Sequence, residues 1–267
     1  MSQVLNAGSD LHTSGGVIAG FRNASATVAP RPVLPADDIA ESTDEFENPV
    51  KIRVVTSASR RNQASSLIQR RYAWRGYAAA PLERHTNGKV TLSASIEDET
   101  VATITAGVDS AEGLYVGRLY SAEVQALRDE GRRLCEFTKL AVDESVRSPA
   151  VLAAIFHVAF MYVRQMQRCT DLLIEVNPRH VSFYRRMLGF ERAAGERIDP
   201  AVGAPAVLLR LDLDHPASES VRLGGRRNFG EGERSFYPYF FAPDEAAKIA
   251  GRLGAALAAP NPHPRFS

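Results

Sequence analysis

The amino-acid sequence predicts an α/β (α+β) domain in which helices flank a mixed central sheet. Stretches with strand periodicity alternate with helical stretches over residues 50–213, which indicates helices packed on the faces of a sheet. With 45% hydrophobic and 24% charged residues, the composition is that of a globular protein. A length of 267 residues fits one domain with terminal extensions.

Hydrophobic periodicity, together with proline, glycine and turn residues, predicts where the individual helices and strands begin and end. Alternation of Val90, Leu92, Ala94 and Ile96 predicts a strand that forms a hairpin with the stretch after the acidic turn at 97–99. Pro149 fits the first turn of a long apolar helix, and Gly189 fits a helix end. The predicted strands are 51–55, 89–96, 101–106, 134–142, 172–176 and 207–213, and the predicted helices are 59–77, 121–130, 149–167 and 178–188.

Three regions follow from these elements. Residues 1–48 are rich in Gly, Ser, Ala, Pro and acidic residues, and they predict a disordered N-terminal tail, with a docking or regulatory arm as the alternative. The folded core is predicted over 49–214. Residues 215–267 form a predicted C-terminal extension that packs on the core; it begins with a Gly- and Arg-rich loop and ends in a short Ala-rich helix at about 243–259.

Charge and cysteine content exclude several classes of protein. The net charge is +1, so no overall field favours nucleic acid, although residues 1–48 carry seven acidic and two basic residues and the remainder is therefore basic. Two isolated cysteines, Cys135 and Cys169, indicate a reducing, cytoplasmic location, and no residues have metal-ligand spacing. The longest apolar run, 150–163, is too short for a transmembrane segment and predicts a buried helix.

One motif lies at the start of the last predicted core helix. It reads Asn177-Pro178-Arg179-His180-Val181-Ser182-Phe183-Tyr184 and continues through Met187-Leu188-Gly189-Phe190. This string resembles the final helix of GNAT acyltransferases and implies the GNAT acyltransferase fold. The resemblance implies that Asn177 contacts the pantetheine arm of the donor and that Tyr184 lies near the thioester sulfur. The two residues are seven apart, about two helical turns, so both can face one groove.

A second motif occupies the central strand and reads Glu136-Phe137-Thr138-Lys139-Leu140-Ala141-Val142-Asp143. It is similar to the corresponding strand of the N-acyl amino acid synthases, of the long-chain N-acyltyrosine synthase type, and less closely to that of the acyl-homoserine lactone synthases. Arg71-Tyr72 and Tyr237-Pro238-Tyr239-Phe240-Phe241 resemble further segments of the first family. The resemblance implies no tightly bound cofactor and, as co-substrate, an acyl-phosphopantetheine thioester on acyl carrier protein, with acyl-coenzyme A as the alternative.

Glu136 is the candidate general base, because a protonated amine must lose a proton before it attacks a thioester. The structural alternative is an ion pair with Arg71 or Lys139. Tyr184 is the second candidate catalytic residue, as a donor to the departing thiolate.

The donor loop departs from the ordinary GNAT pattern. It reads Arg147-Ser148-Pro149 and has no glycine, while Pro149 lacks an N–H, so a cradle for the pyrophosphate of coenzyme A is not expected. Arg147 and Ser148 fit a single phosphate, as on an acyl carrier protein, which is acidic and suits a basic core. The predicted donor-binding residues are Ala141, Val142, Arg147, Ser148 and Asn177. The predicted carrier-protein contacts are Arg179, Arg185 and Arg186, together with the Arg132-Arg133 pair.

For the acceptor, Arg71 and Trp74 lie on the first predicted helix, and Arg71 suits the carboxylate of an amino acid. The sequence thus predicts an acyltransferase that moves a medium or long acyl chain from acyl carrier protein to the α-amine of an amino acid. The alternatives are an acyl-homoserine lactone synthase, a coenzyme A-dependent small-acyl N-acetyltransferase and a catalytically silent GNAT binding domain. No metal or nucleic acid is expected.

Overall fold

The computed structural model describes residues 16–25, 45–73, 82, 88–146, 148–227 and 232–258. Within these ranges, eight strands form one sheet and helices cover its two faces. The strands are β1 (Val17–Ser25), β2 (Glu45–Val54), β3 (Lys89–Ile96), β4 (Glu99–Val108), β5 (Leu134–Val142), β6 (Asp171–Val176), β7 (Glu191–Asp199) and β8 (Ala204–Asp212). The α-helices are α1 (Ala58–Ala73), α2 (Ser121–Asp129), α3 (Pro149–Phe160), α4 (Val181–Leu188), α5 (Asp214–Leu223) and α6 (Pro243–Ala258).

The strand order is β1-β2-β3-β4-β5-β6-β8-β7. All neighbouring strands pair antiparallel except β5 and β6, which are parallel and are joined through α3. The mixed sheet predicted from the sequence is therefore confirmed. The predicted hairpin is also present: β3 and β4 meet at Glu97 and Asp98, both with positive φ, as a two-residue hairpin turn requires.

Helix α3 is the central core helix. Ten of its twelve residues are buried, and it continues as a π-helical segment, Met161–Met166. The segment Pro149–Met166 is long and apolar enough to cross a membrane, but 72% of it is buried inside the fold. Its apolar character therefore serves the core, as predicted.

Two predictions are corrected at the termini. Part of the region predicted as a disordered tail forms strands, because β1 pairs with β2 from Val17↔Arg53 onward and β2 begins at Glu45. The rest of that tail, 1–15 and 26–44, lies outside the described residues. In the C-terminal extension, α5 occupies part of the predicted loop, with Pro216 and Leu223 buried against the core.

Candidate active site

The site begins where two parallel strands separate. Strands β5 and β6 pair only from Leu134↔Asp171 to Glu136↔Leu173. Beyond that point Lys139 has a φ of 51°, and the register between β4 and β5 shifts after Thr105↔Thr138. A bulge of this kind bends its strand. The second half of β5 consequently stays with β4 and turns away from β6, which opens a cleft between adjacent strands of the sheet.

A cavity of about 360 Å³ fills this cleft. It is lined by the second half of β5, the end of β6, the first two turns of α3, the start of α4 and the β7–β8 turn. The structure brings the following predicted site residues together around it: Arg71, Ala141, Val142, Ser148, Asn177, Arg179 and Tyr184.

One arm of the cavity is apolar and partly aromatic. Phe137, Leu152, Phe156 and Phe183 line it. The Phe137 and Phe156 ring centroids lie 6.3 Å apart, within the range of favourable aromatic contacts. Few polar groups and closely packed rings make this arm suited to a hydrocarbon rather than to a polar ligand.

The opposite arm carries a pair of carboxyl groups. Glu175 near the end of β6 and Asp199 at the end of β7 both line the cavity. Burial, and then the neighbouring Asp199 carboxylate, with which it shares a hydrogen bond, raise the pKa of Glu175 to about 7. Tyr115 lines the same arm, and its pKa is raised by burial and by Asp199 and Glu175. A carboxyl group that titrates near neutral pH can accept a proton under physiological conditions.

Glu136 lies on β5, behind this arm. Its side chain is 3% exposed, and its two carboxylate oxygens accept hydrogen bonds from the backbone N–H groups of Tyr115 (2.9 Å) and Val116 (3.1 Å). Burial raises the pKa of Glu136, whereas these two N–H groups and Lys89 act in the opposite direction. Both Tyr115 and Val116 line the cavity, so Glu136 holds a piece of the wall rather than forming the predicted contact with Arg71 or Lys139.

Basic side chains also line the cavity. Arg71 at the end of α1, Lys139, Arg179 and His180 all line it. The Arg71 guanidinium lies 3.6 Å from the Glu144 carboxylate, which is longer than a charge-assisted hydrogen bond. The lining therefore contains both carboxyl groups and basic groups.

Local capping explains where α3 and α4 begin. The hydroxyl of Ser148 accepts a hydrogen bond from the Ala150 N–H (3.2 Å), and Pro149 follows as the first helical residue. The Asn177 side chain likewise accepts from the Arg179 N–H (3.2 Å), at the start of the 3-10 turn Pro178–His180 that leads into α4. At the N-terminus of α3, beside the cavity, Pro149 therefore has no N–H and the N–H of Ala150 is already hydrogen-bonded.

Tyr184 lies on α4 and is held between two aromatic rings, those of Phe183 (5.2 Å between centroids) and Phe190 (5.8 Å). Helix α4 ends at Gly189, which has a φ of 80° and lies against His215, so that an added Cβ would come within 2.4 Å of the imidazole. Gly189 and Phe190 therefore fix the end of the helix that presents Tyr184 to the cavity.

The remaining predicted residues lie elsewhere. Arg185 and Arg186 are exposed on α4, outside the cavity wall. Arg132 forms ion pairs with the buried Asp171 and with Asp212, and its contact with a carrier protein stays a prediction. Trp74 and Arg147 lie outside the described residues.

Sequence reasoning missed Glu175 and Asp199. Glu175 is the only charged side chain inside the apolar run Leu172–Val176, and a charged residue in a buried strand is a recognisable signal. Asp199 offers no comparable signal, because an Asp before Pro is common in turns. Among the described residues, no group of three or more His, Cys, Asp or Glu side chains could hold a metal ion.

Comparison with known proteins agrees with this geometry. The family model "N-acyl amino acid synthase FeeM" matches residues 63–212. The structure of FeeM, an N-acyl amino acid synthase from uncultured soil microbes, superposes with a TM-score of 0.56 at 26% sequence identity, and the match covers 63% of this chain and 92% of that chain. No curated protein sequence matches.

More distant structures are also similar. Escherichia coli ElaA has 12% identity and a TM-score of 0.47, with 61% of this chain and 99% of that chain covered. An N-acetyltransferase from Staphylococcus aureus Mu50 has 13% identity and a TM-score of 0.39, with 62% and 98% covered. The family match spans more than half of the chain. The chain therefore belongs to the FeeM family of N-acyl amino acid synthases, and it is an acyltransferase of the GNAT fold.

Proposed function

We propose that this protein transfers a medium or long acyl chain from an acyl carrier protein thioester to the α-amine of an amino acid. One observation carries the proposal: the lining of one cavity, where β5 and β6 separate, includes both a cluster of apolar and aromatic side chains and a carboxyl pair. The apolar arm would hold the acyl chain, and the carboxyl arm would receive the amine. The thioester carbonyl would then lie at the opening between the strands.

Glu175 would act as the general base. The amine reaches the site protonated, and its proton passes to the Glu175 carboxylate, whose pKa of about 7 suits this transfer. The neutral amine attacks the thioester carbonyl and a C–N bond forms. As the C–S bond breaks, the second proton leaves the nitrogen and replaces the one that Tyr184 gives to the departing thiolate, so the products are an amide and a thiol. Glu136, the residue favoured by sequence, would instead hold the Tyr115–Val116 backbone through its two hydrogen bonds.

Tyr184 and Asn177 would act on the leaving group, which is the pantetheine thiolate. Both line the cavity near the start of α4. The Tyr184 hydroxyl would give its proton to the departing thiolate, and the Asn177 amide would bind the pantetheine arm. Backbone N–H groups of β5 that no longer face β6 would polarise the thioester carbonyl. Ala141 and Val142, also on β5, would contact the acyl donor.

The acceptor carboxylate would bind to a basic residue of the cavity lining. Arg71 is the proposed partner, with Trp74 in the same region of the chain. Arg71 lines the cavity, and its planar guanidinium would hold a substrate carboxylate in bidentate contact. A zwitterionic amino acid suits a lining that contains both carboxyl and basic groups, because its ammonium and carboxylate would each face an opposite charge.

The donor is proposed to be a carrier protein rather than coenzyme A. Pro149 has no N–H and Ser148 already occupies the N–H of Ala150, so α3 offers fewer donors for a pyrophosphate. Arg179, Arg185 and Arg186 are exposed, in or just before α4, and suit an acidic protein surface. Arg147 would hold the single phosphate beside Ser148. A carrier-protein donor also implies a cytoplasmic location.

The test compares one acyl group on two carriers. The purified full chain is given an amino acid mixture with the acyl group on acyl carrier protein or on coenzyme A, and the products are measured by mass spectrometry. We expect N-acyl amino acids at a higher kcat/KM with the carrier protein. Acyl-homoserine lactones, acetyl transfer alone, or no product from folded protein would contradict the proposal.

A charge reversal tests the docking surface. Arg185→Glu should raise KM for the carrier-protein thioester by about tenfold and leave the coenzyme A thioester unaffected, because opposed charges mainly slow association. Lys248→Glu, an exposed position on α6, is the matched control and should change neither. Equal effects of both variants would contradict the assignment of this surface.

A further inference from the structure

The apolar arm ends abruptly along both helices that line it. On α3 the lining residues are Pro149, Leu152 and Phe156, and the next residue on that face, Phe160, packs behind the wall. Phe156 lies seven residues after Pro149, so the arm is about 10 Å deep along a helix that rises about 1.5 Å per residue. On α4 the lining ends at Phe183 and Tyr184.

One buried side chain closes the arm at this depth. Phe236 is 0% exposed, and its ring centroid lies 6.2 Å from Phe156 and 5.7 Å from Phe183. It contacts the last lining ring of each helix but is not itself part of the cavity surface among the described residues. Phe236 therefore fills the space into which a longer arm would extend.

The segment that carries Phe236 is fastened to the same two helices. The Phe236 N–H donates to the Met187 carbonyl (2.9 Å), and the Tyr237 hydroxyl donates to the Leu188 carbonyl (2.6 Å), both on α4. The Phe241 N–H donates to Nδ1 of His157 on α3 (3.1 Å). Burial lowers the pKa of His157 to about 3, so the imidazole remains a neutral acceptor. The segment is thus a fixed wall.

This wall comes from outside the part of the chain that the family match covers. That match ends at residue 212, and Phe236 lies beyond it, in the C-terminal extension. We propose that this extension sets the acyl chain length that the enzyme accepts, with Phe236 as the specificity-determining residue that supports Phe156 and Phe183. The inference rests on the proposed transfer of a medium or long acyl chain.

A smaller residue at position 236 lets the two supported rings move back and deepens the arm. One methylene in an apolar pocket is worth about 10-fold or more in discrimination. In Phe236→Leu, the ratio of products one two-carbon step longer than the wild-type optimum to those at the optimum should therefore rise about tenfold or more. Phe236→Trp should shift the ratio the other way.

The control is Phe240→Leu, in the same segment. The Phe240 ring packs on His157 (4.4 Å), Phe160 and Tyr237, away from the lining rings, so its loss costs similar packing without deepening the arm. The readout is the acyl-length distribution of N-acyl products, measured by mass spectrometry in bacteria that express each full-length variant. Because the distribution is a ratio within one sample, it does not depend on how much folded enzyme each variant yields.

The outcomes separate the two proposals. A shift to longer chains in Phe236→Leu, with the wild-type distribution in Phe240→Leu, supports the inference. Wild-type distributions in both variants, or the same shift in both, overturn it and leave the proposed function standing. A wild-type enzyme that transfers only acetyl groups overturns both.

Discussion

Two glutamates on neighbouring strands of the sheet have opposite surroundings. Glu136 on β5 is enclosed, and its two oxygens accept hydrogen bonds from two backbone N–H groups. Glu175 on β6 lines the cavity and has another carboxyl group, Asp199, as its neighbour. The same side chain can therefore stabilise a wall at one position and be poised to exchange a proton at the other. The difference shows that hydrogen-bond partners, rather than residue type, decide which role is available.

The largest effect is expected on catalysis. Glu175→Gln removes the proposed base and should lower kcat/KM for N-acyl transfer by about 10²–10⁴-fold, the usual contribution of general base catalysis. Steady-state kinetics with a saturating donor measure this loss. Glu136→Gln is the matched comparison and should have a smaller effect on kcat/KM. If Glu136→Gln proves the more damaging of the two, the roles assigned here are reversed.

Stability should show the opposite ranking. In Glu136→Gln, one buried N–H of Tyr115 or Val116 faces an amide NH₂ group, which should lower the free energy of unfolding by about 1–3 kcal/mol. Urea unfolding followed by circular dichroism measures the change. Glu175→Gln should be neutral or stabilising, because burial and Asp199 disfavour its charged form. A stable Glu136→Gln variant would show that its hydrogen bonds contribute little.

The pH profile sharpens the assignment of Glu175. A base with a pKa of about 7 should give kcat/KM an acid limb near that pH, with activity rising as Glu175 loses its proton. Asp199→Asn removes a negative charge that raises this pKa, so the limb should move to lower pH. If the acid limb of the kcat/KM profile stays at the same pH in Asp199→Asn, a group other than Glu175 is responsible for it.

The smallest expected effect is on the pH dependence of stability. The pKa of Glu175 is raised in the folded state, so the native protein binds this proton more tightly than the unfolded chain. Stability from this group is present at low pH and is lost as the pH rises through about 7. Relative to wild type, Glu175→Gln should therefore gain stability, measured by Tm, as the pH rises from about 4.5 to about 7. A difference that does not vary with pH would contradict the raised pKa.

Elements with strong periodicity were predicted with the bounds that the structure gives them. Strands β3 (Lys89–Ile96) and β5 (Leu134–Val142) match the prediction at both ends. Apolar residues alternate with Thr and Ser along β3, although residues 92–95 are all buried in the fold. The two edge strands were not predicted. Strand β7 (Glu191–Asp199) is exposed along most of its length and has no apolar alternation, and the apolar run of β1, in which Ile18 and Ala19 are buried, is short and lies within a Gly- and Ser-rich segment.

The sequence alone determined the fold, the family and the reaction class, together with Asn177, Tyr184 and the loop before α3. These features depend on local strings, in which capping residues, turn glycines and periodicity are read directly. Only the tertiary structure decided which glutamate lines the cavity and which side chain packs behind its aromatic wall. Glu175 and Asp199 meet from different strands, and Phe236 reaches Phe156 across 80 residues of chain. Such contacts between distant segments follow from strand divergence and packing, which a single sequence does not encode position by position.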